Sequence, residues 1–426
     1  MMKEQSRRPF ISPLAVILIG GVAALAAQGS QGSQSAAAPK QLPAPYATPS
    51  ADNRPQVVAQ PASARVKVPD GFSVEVVAEG FETPRFMIPV PTIPAPDGQV
   101  LLSDSARGTQ NGGAVYVLAD KNHDGKIDAK TKILEGLDRP FGLALWRDYL
   151  YVAETTSLKR YKFDAKTMKA ATPGQEVVSL KNFGNGHWTR MVLFDPKGEK
   201  MFLTVGSGSN VDAGEDPMRA AVHRYNPDGS GHETYASGTR NPVSLKFYPG
   251  TDTLWATVQE RDALGDDLVP DYLTSLKPGG FYGWPYAYIG PNEDPRRKGE
   301  ASDLVKKTIV PDVMMGAHTA VLDFIFYTGK MFPSEYQGGA FVARHGSWNR
   351  SKRVAYDVAF VPFRNGKPAG EPRPFLTGFM LSPDSKEVWG RPVGLLQLGD
   401  GSILMTDDGG KKIWRITYSG KSTADR

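Results

Sequence analysis

Apolar and β-branched residues along this chain come in pairs of short runs, and the pair recurs six times. Each copy has a turn, an apolar run, a polar gap and a second β-rich run. The first runs begin Pro84-Arg85-Phe86-Met87, Arg139-Pro140-Phe141-Gly142-Leu143, Arg190-Met191-Val192-Leu193, Arg240-Asn241-Pro242-Val243, Thr319-Ala320-Val321-Leu322 and Arg391-Pro392-Val393-Gly394-Leu395. Their partners are Val100–Ser103, Tyr149–Ala153, Met201–Val205, Thr253–Val258, Ala340–Ala343 and Ser402–Thr406. A weak repeat of strand pairs spaced by roughly fifty to eighty residues predicts an all-β fold, a six-bladed β-propeller with one blade per copy. Each first run is then an inner strand beside the central channel.

Five of the six first runs carry an arginine near their start. The first two strands of a blade are antiparallel, so the start of one and the end of the next share a face. The second runs end in Asp104, Glu154, Ser207, Gln259-Glu260, Arg344-His345 and Asp407-Asp408. Three of the six histidines, His187, His318 and His345, map to this face, while His123, His223 and His232 fall in outer strands or loops. Arginines, acids and imidazoles converging on one concave mouth are what an active site needs. The bland alternative is that the arginines pair between blades and hold the ring closed. Guanidiniums facing one cavity suit a small ligand with several carboxylates or phosphates. Acids at the same mouth would repel that anion, which is the argument for a divalent cation between them.

The N-terminus reads as a targeting segment. Lys3, Arg7 and Arg8 precede an apolar run from Leu14 to Ala27, which ends in small residues around Ala24-Leu25-Ala26. This is the layout of an export signal, and Ser6-Arg7-Arg8-Pro9-Phe10-Ile11 resembles a twin-arginine signal. The run is short against the about 20 residues of a membrane span. The expectation is a periplasmic or secreted protein with no stable membrane span after cleavage. Residues 28–65 are rich in Gln, Ser, Ala and Pro and predict a disordered linker. The propeller then covers 66–418 and a short tail 419–426. There are no cysteines, so neither disulfides nor thiolate metal sites arise. The net charge of +5 gives no support for nucleic-acid binding.

In order and at blade spacing, four phrases resemble the soluble quinoprotein sugar dehydrogenases: Gly186-His187-Trp188-Thr189-Arg190, Thr239-Arg240-Asn241-Pro242, Gly279-Gly280-Phe281-Tyr282-Gly283-Trp284-Pro285 and Gly390-Arg391-Pro392. The sorbosone and aldose dehydrogenase branch is the most similar. The resemblance implies a six-bladed propeller that uses pyrroloquinoline quinone and Ca2+ to oxidise a sugar, sugar aldehyde or polyol. It implies an external electron acceptor as partner. It makes His187 the base for the substrate hydroxyl, with a pKa near the usual 6.5, and Arg240 the group that bonds the quinone oxygen. Asn241, Arg391 and either Arg350 or Lys352 would hold the cofactor. The peptide oxygens of Glu260 and Arg261 would hold calcium, with Asp262, Asp266 and Asp267 adding charge. Two departures stand out. The family's aspartate that orients the base is replaced by Ser207, and a glutamine expected near Gly136-Leu137-Asp138-Arg139 is missing.

Asp120-Lys121-Asn122-His123-Asp124-Gly125-Lys126-Ile127-Asp128 follows a calcium-loop pattern, with Asp120, Asn122, Asp124 and Asp128 as ligands. Thr131 stands where the full loop has an acid. A polar hairpin that uses Asp and Gly for its turn fits equally well. Two further functions compete. One is a Ca-dependent lactonase or other hydrolase using Glu154, Asp407 or Glu260 with His345. The other is a non-enzymatic glycan-binding propeller. The segment from Asp262 to His318 is long enough to roof the mouth.

Overall fold

The computed structural model describes residues 41–90, 99–106 and 111–420. The expected export signal, the expected linker up to residue 40 and the last six residues lie outside them. Six sheets, antiparallel but for one outer parallel pair in blade 3, are arranged around a central channel, as the repeat predicts. Blade 1 is Pro84–Pro89, Val100–Asp104, Gly113–Ala119 and Ala129–Leu137. The inner pairs of blades 2 to 5 are Leu143–Trp146 with Tyr149–Ala153, Val192–Phe194 with Met201–Val205, Asn241–Phe247 with Leu254–Gln259, and Val321–Phe326 with Ala340–Arg344. Blade 6 has Pro392–Gln397, Ile403–Asp407 and Lys412–Tyr418, and its outermost strand is Phe72–Glu79 from the other end of the chain. Phe72–Glu79 thereby ties the first residues of the propeller to the last and closes the ring.

The second strands are buried on both faces and read as continuous apolar runs, because each blade packs between two others. Phe72 illustrates the packing. It is buried against Phe332, Tyr336 and Phe375, with ring centroids 4.8 to 5.4 Å away. Burying such a ring stabilises the fold by about 1.5–3 kcal/mol. Hydroxyls bridge adjacent blades in a recurring way. Ser103 Oγ donates to Phe141 O at 2.6 Å, Thr257 Oγ1 to Leu322 O at 2.5 Å and Thr406 Oγ1 to Arg85 O at 2.7 Å. These bonds fix the inner strands against one another and hence the geometry of the mouth.

The expected linker is ordered well before Val66. Gln56–Val57 pairs in parallel with Glu387–Val388, and Tyr46 N donates to Leu264 O at 2.8 Å. Its low-complexity composition hides this order, because the order comes from hydrogen bonds to the propeller and not from an apolar pattern of its own.

Candidate active site

A cavity of about 500 Å³ opens at the channel mouth. His187, Trp188 and Thr189 come from the turn before blade 3's inner strand, Asn241 and Gln259 from blade 4, His345 and Trp348 from blade 5, Arg391 from blade 6 and Arg85 from blade 1. Convergence follows from the repeat: each residue sits at the same end of its blade's inner pair.

The backbone at His187 is set by glycines. Gly186 has φ +70°, and a Cβ on Gly206 would lie 2.4 Å from Asn241 Oδ1 and 2.6 Å from the His187 Cβ. Only a residue without a side chain lets His187 and Asn241 approach this closely. His187 Nδ1 lies 2.9 Å from Ser207 O and 3.0 Å from Ser207 Oγ. A carbonyl oxygen only accepts, so Nδ1 carries the hydrogen and Nε2 the lone pair. Ser207, which stands where the resemblance expects an aspartate, thus fixes the imidazole through its peptide oxygen. Burial first, and the Arg240 charge second, push the His187 pKa down to about 3, well below the unshifted value the sequence suggested.

The second histidine is wired differently. His345 Nε2 lies 2.8 Å from Asp408 Oδ1, and Arg85 Nη1 lies 2.9 Å from Asp408 Oδ2. Burial and then the Arg391 charge lower the His345 pKa to about 4. Burial opposes charge on Asp408 too, yet His345 and Arg85 hold its carboxyl well below the usual carboxylate range. At neutral pH a neutral His345 therefore donates from Nε2 to a charged Asp408. The third histidine, His318, is buried outside the cavity lining. Its Nε2 donates to Gly265 O at 2.9 Å and its Nδ1 lies 3.5 Å from Asp262.

The expected ring of five arginines separates into different tasks. Arg85 and Arg391 line the cavity. Arg391 Nε donates to His345 O at 3.2 Å. Arg139 sits beside the Trp188 ring at 5.8 Å and pairs with Asp138. Arg190 is fully buried and donates to the carbonyls of His187, Thr189 and Phe183, so it braces the turn. Arg240 is buried behind the lining, with its donors on Glu260 O at 2.6 Å, on Asn210 and on Asp262 at 3.0 Å. It influences His187 by its charge.

The acids do not crowd the mouth as expected. Asp104 accepts from Glu82 N and Thr83 N, Glu154 from Asp138 N, and Asp407 from Arg391 N and Gly410 N. Backbone donors occupy these three, while Asp408 does stay at the mouth, where Arg85 and His345 offset its charge without a metal. No group of three or more His, Asp or Glu side chains suited to a metal converges among the described residues. Glu260 O is met by Arg240, the Glu260 carboxylate pairs with Arg261 at 2.9 Å, and Arg261 spends its other donors on Asp294, Pro285 O and Ala287 O. Glu260 O, one of the two peptide oxygens expected to hold calcium, thus already accepts from Arg240, and no step below depends on a calcium ion. The same dispersal of acids removes the donor set of the hydrolase alternative.

Arg350 and Lys352 are not part of the lining. Arg350 pairs with Asp267 at 2.7 Å, and exposed Lys352 with Asp384 at 3.4 Å. In the loop from Asp120 to Asp128 the side-chain oxygens turn onto the loop's own N–H groups: Asp120 accepts from Gly125 N at 2.7 Å, Asp124 from Lys126 N at 2.8 Å and Asp128 from Lys121 N and Asn122 N. That is hairpin geometry.

Two buried polar atoms on the lining residues have no partner, Asn241 Oδ1 and Thr189 Oγ1. Such atoms are costly unless a ligand answers them. The site thus offers cations, an unanswered amide oxygen and a neutral imidazole, a set that fits a polyanionic cofactor with carbonyl and ring N–H groups.

The family profile described as TrAA12-like matches residues 66–271 and 293–419. The chain belongs to the TrAA12-like family. The gap in the match takes in Gly279 to Pro285, so that phrase of the resemblance lies outside the matched residues. An uncharacterised protein of Borreliella burgdorferi is 30% identical over 377 residues, covering 85% of this TrAA12-like chain and 93% of the relative. Among solved structures, the calcium structure of Trichoderma reesei Carbohydrate-Active Enzymes Family AA12 matches with TM-score 0.71 and 18% identity, over 85% of this chain and 99% of that one. The holo form of the pyranose dehydrogenase PQQ domain from Coprinopsis cinerea matches with TM-score 0.69 and 19% identity, over 84% and 98%. The PQQ-bound aldose sugar dehydrogenase from Streptomyces coelicolor matches with TM-score 0.56 and 19% identity, over 83% and 100%. At these identities the likeness is one of fold: the propeller is shared with the soluble PQQ-type sugar dehydrogenases that the motifs resembled and with AA12 proteins.

Proposed function

We propose that this TrAA12-like protein is a quinoprotein oxidoreductase that oxidises a sugar, sugar aldehyde or polyol with pyrroloquinoline quinone. One observation carries the reading: a half-buried neutral His187, fixed at Nδ1 by Ser207 O, borders a cavity that also holds Arg85, Arg391 and the unpartnered Asn241 Oδ1. Relatives of this fold whose structures are described as PQQ-bound or as a PQQ domain support the choice of cofactor. Export to the periplasm or beyond accords with the N-terminal signal pattern. Among the described residues no helix is long and apolar enough to cross a membrane.

When bound, the quinone supplies a two-electron acceptor for hydride from the substrate carbon. Arg85 and Arg391 would fork onto its carboxylates, and Asn241 and Thr189 would meet its polar edge. His187 Nε2 takes the hydroxyl proton while Ser207 O keeps Nδ1–H in place. An imidazole with a pKa of about 3 is a weak base, since burial and Arg240 both oppose its protonation. An anion in the cavity works the other way, because it offsets the guanidinium charge. Cofactor loading should therefore raise the His187 pKa toward the range useful for a base.

The test is dye-linked turnover of aldoses and polyols by cofactor-free protein. Activity should need added pyrroloquinoline quinone, with and without Ca2+ as separate arms. Turnover supported by a nicotinamide cofactor instead overturns the reading.

A further inference from the structure

The segment ahead of the propeller, residues 43–58, is built into the mouth and belongs to the same compact unit as the blades. It crosses three of them. Asp266 N donates to Thr48 Oγ1 at 2.7 Å in the loop after blade 4's second strand. Asn349 Nδ2 donates to Ala51 O at 2.7 Å, and Asn53 N donates to Trp348 O at 2.8 Å, both in blade 5's loop. Val58 N donates to Val388 O at 2.9 Å just before Arg391. Arg353 is 1% exposed, yet its guanidinium donates to Asn53 Oδ1 at 2.8 Å and to Arg54 O at 3.2 Å. A buried guanidinium is costly unless its donors are matched. Here the segment supplies two of the matches, so it is a fixed wall.

Arg54 and Pro55 on this wall line the cavity. With Arg85 and Arg391, Arg54 makes a third guanidinium on a lining that has no carboxylate among the described residues. The three differ in their hold. Arg85 is clamped by buried Asp408. Among the described residues Arg54 pairs with Asp52, at 3.2 Å, with both side chains more than half exposed, and its guanidinium lies 5.1 Å over the Trp348 ring. An exposed ion pair of that kind exchanges partners easily.

We propose that residues 43–58 form a wall of the ligand cavity and that Arg54 on this wall binds a carboxylate of the ligand held there. The inference rests on the dehydrogenase reading for the ligand's identity: the carboxylate belongs either to the quinone cofactor or to a sugar-acid substrate. In both cases Arg54 exchanges Asp52 for the ligand, and the Trp348 ring keeps the guanidinium at the rim.

Equilibrium titration of cofactor-free protein, followed by the fluorescence of Trp188 and Trp348, tests this in two arms. One arm uses pyrroloquinoline quinone; the other compares D-glucuronate with D-glucose. If the cofactor is the source, Arg54→Ala weakens quinone binding by about tenfold, the scale of one charge-assisted hydrogen bond. If a sugar acid is the source, quinone binding is unchanged and the preference for glucuronate over glucose falls by about tenfold. Arg54→Lys should restore part of either loss. Asp52→Asn, which removes the competing acid, should tighten the same ligand by about twofold. An unchanged melting temperature shows that the variants fold. Arg54→Ala with neither arm altered overturns the proposal. A wild type that takes up no quinone refutes the dehydrogenase reading instead. The glucuronate arm then decides Arg54 alone: a lost preference supports it and an equal preference overturns it.

Discussion

His187 and His345 border one cavity, and both are kept neutral by burial and a nearby guanidinium, yet they present opposite nitrogens. His187 is held at Nδ1 by the peptide oxygen of Ser207, so its Nε2 is left as a proton acceptor. His345 gives its Nε2 hydrogen to Asp408, which Arg85 also grips. The first arrangement leaves a base aimed by a neutral partner. The second spends its imidazole on a buried carboxylate and so helps set the position of a cavity-lining arginine. A depressed pKa alone therefore does not separate the two rings; the identity of the engaged nitrogen does, and it is the ground on which His187 is proposed as the base.

The sharpest way to break the comparison is to remove each ring. His187→Ala should lower turnover by about 10²–10⁴-fold, the usual contribution of a general base, with quinone binding preserved. His345→Ala should lower turnover far less and act through weaker cofactor retention. Steady-state rates at saturating quinone decide the matter, and the reverse ranking would move the chemistry to blade 5.

The arginines come next in size. Arg391→Ala removes a guanidinium from the lining and should weaken quinone binding by about 1.5–3 kcal/mol. Arg240→Ala should act differently, because Arg240 lies behind the lining and depresses His187 by charge. Its removal should raise the His187 pKa and leave Asp262 without its guanidinium partner. Nitrogen-15 spectra of the imidazoles report this directly. In cofactor-free wild type, His187 and His345 should both stay neutral from pH 8 down to pH 5, because pKa values of about 3 and 4 put their protonation below that window. A titration of either ring near pH 6.5 would contradict the burial argument.

The alternation of apolar and polar residues made the blades legible, since inner and second strands each need a short β-rich run. Met201–Val205 and Tyr149–Ala153 fall where the pattern put them. The strand that closes blade 6, Phe72–Glu79, was not legible, because its partner Lys412–Tyr418 is at the other end of the chain. His187 and Arg391 were readable as cavity residues from their place before or at the start of inner strands, and Asn241 from the resemblance of its motif. What each side chain binds was not. Arg190 and Arg391 occupy equivalent places in the repeat, yet one braces three carbonyls and the other lines the cavity. The wall at 43–58 was missed because Ala51, Asn53 and Arg54 owe their placement to Asn349, Arg350 and Arg353, hundreds of residues away.

A smaller effect separates the two metal expectations from the cavity. If the loop from Asp120 to Asp128 is only a hairpin, chelation should shift the melting temperature of wild type and of Asp124→Ala equally. A larger shift in wild type would restore the calcium loop there.

The most direct measurement is a spectral titration of cofactor-free protein with pyrroloquinoline quinone, followed by addition of aldoses. The account predicts saturable uptake of one quinone per chain, and reduction of the bound quinone by a sugar in wild type but only slowly in His187→Ala. No uptake, or equally fast reduction in the two proteins, would contradict it.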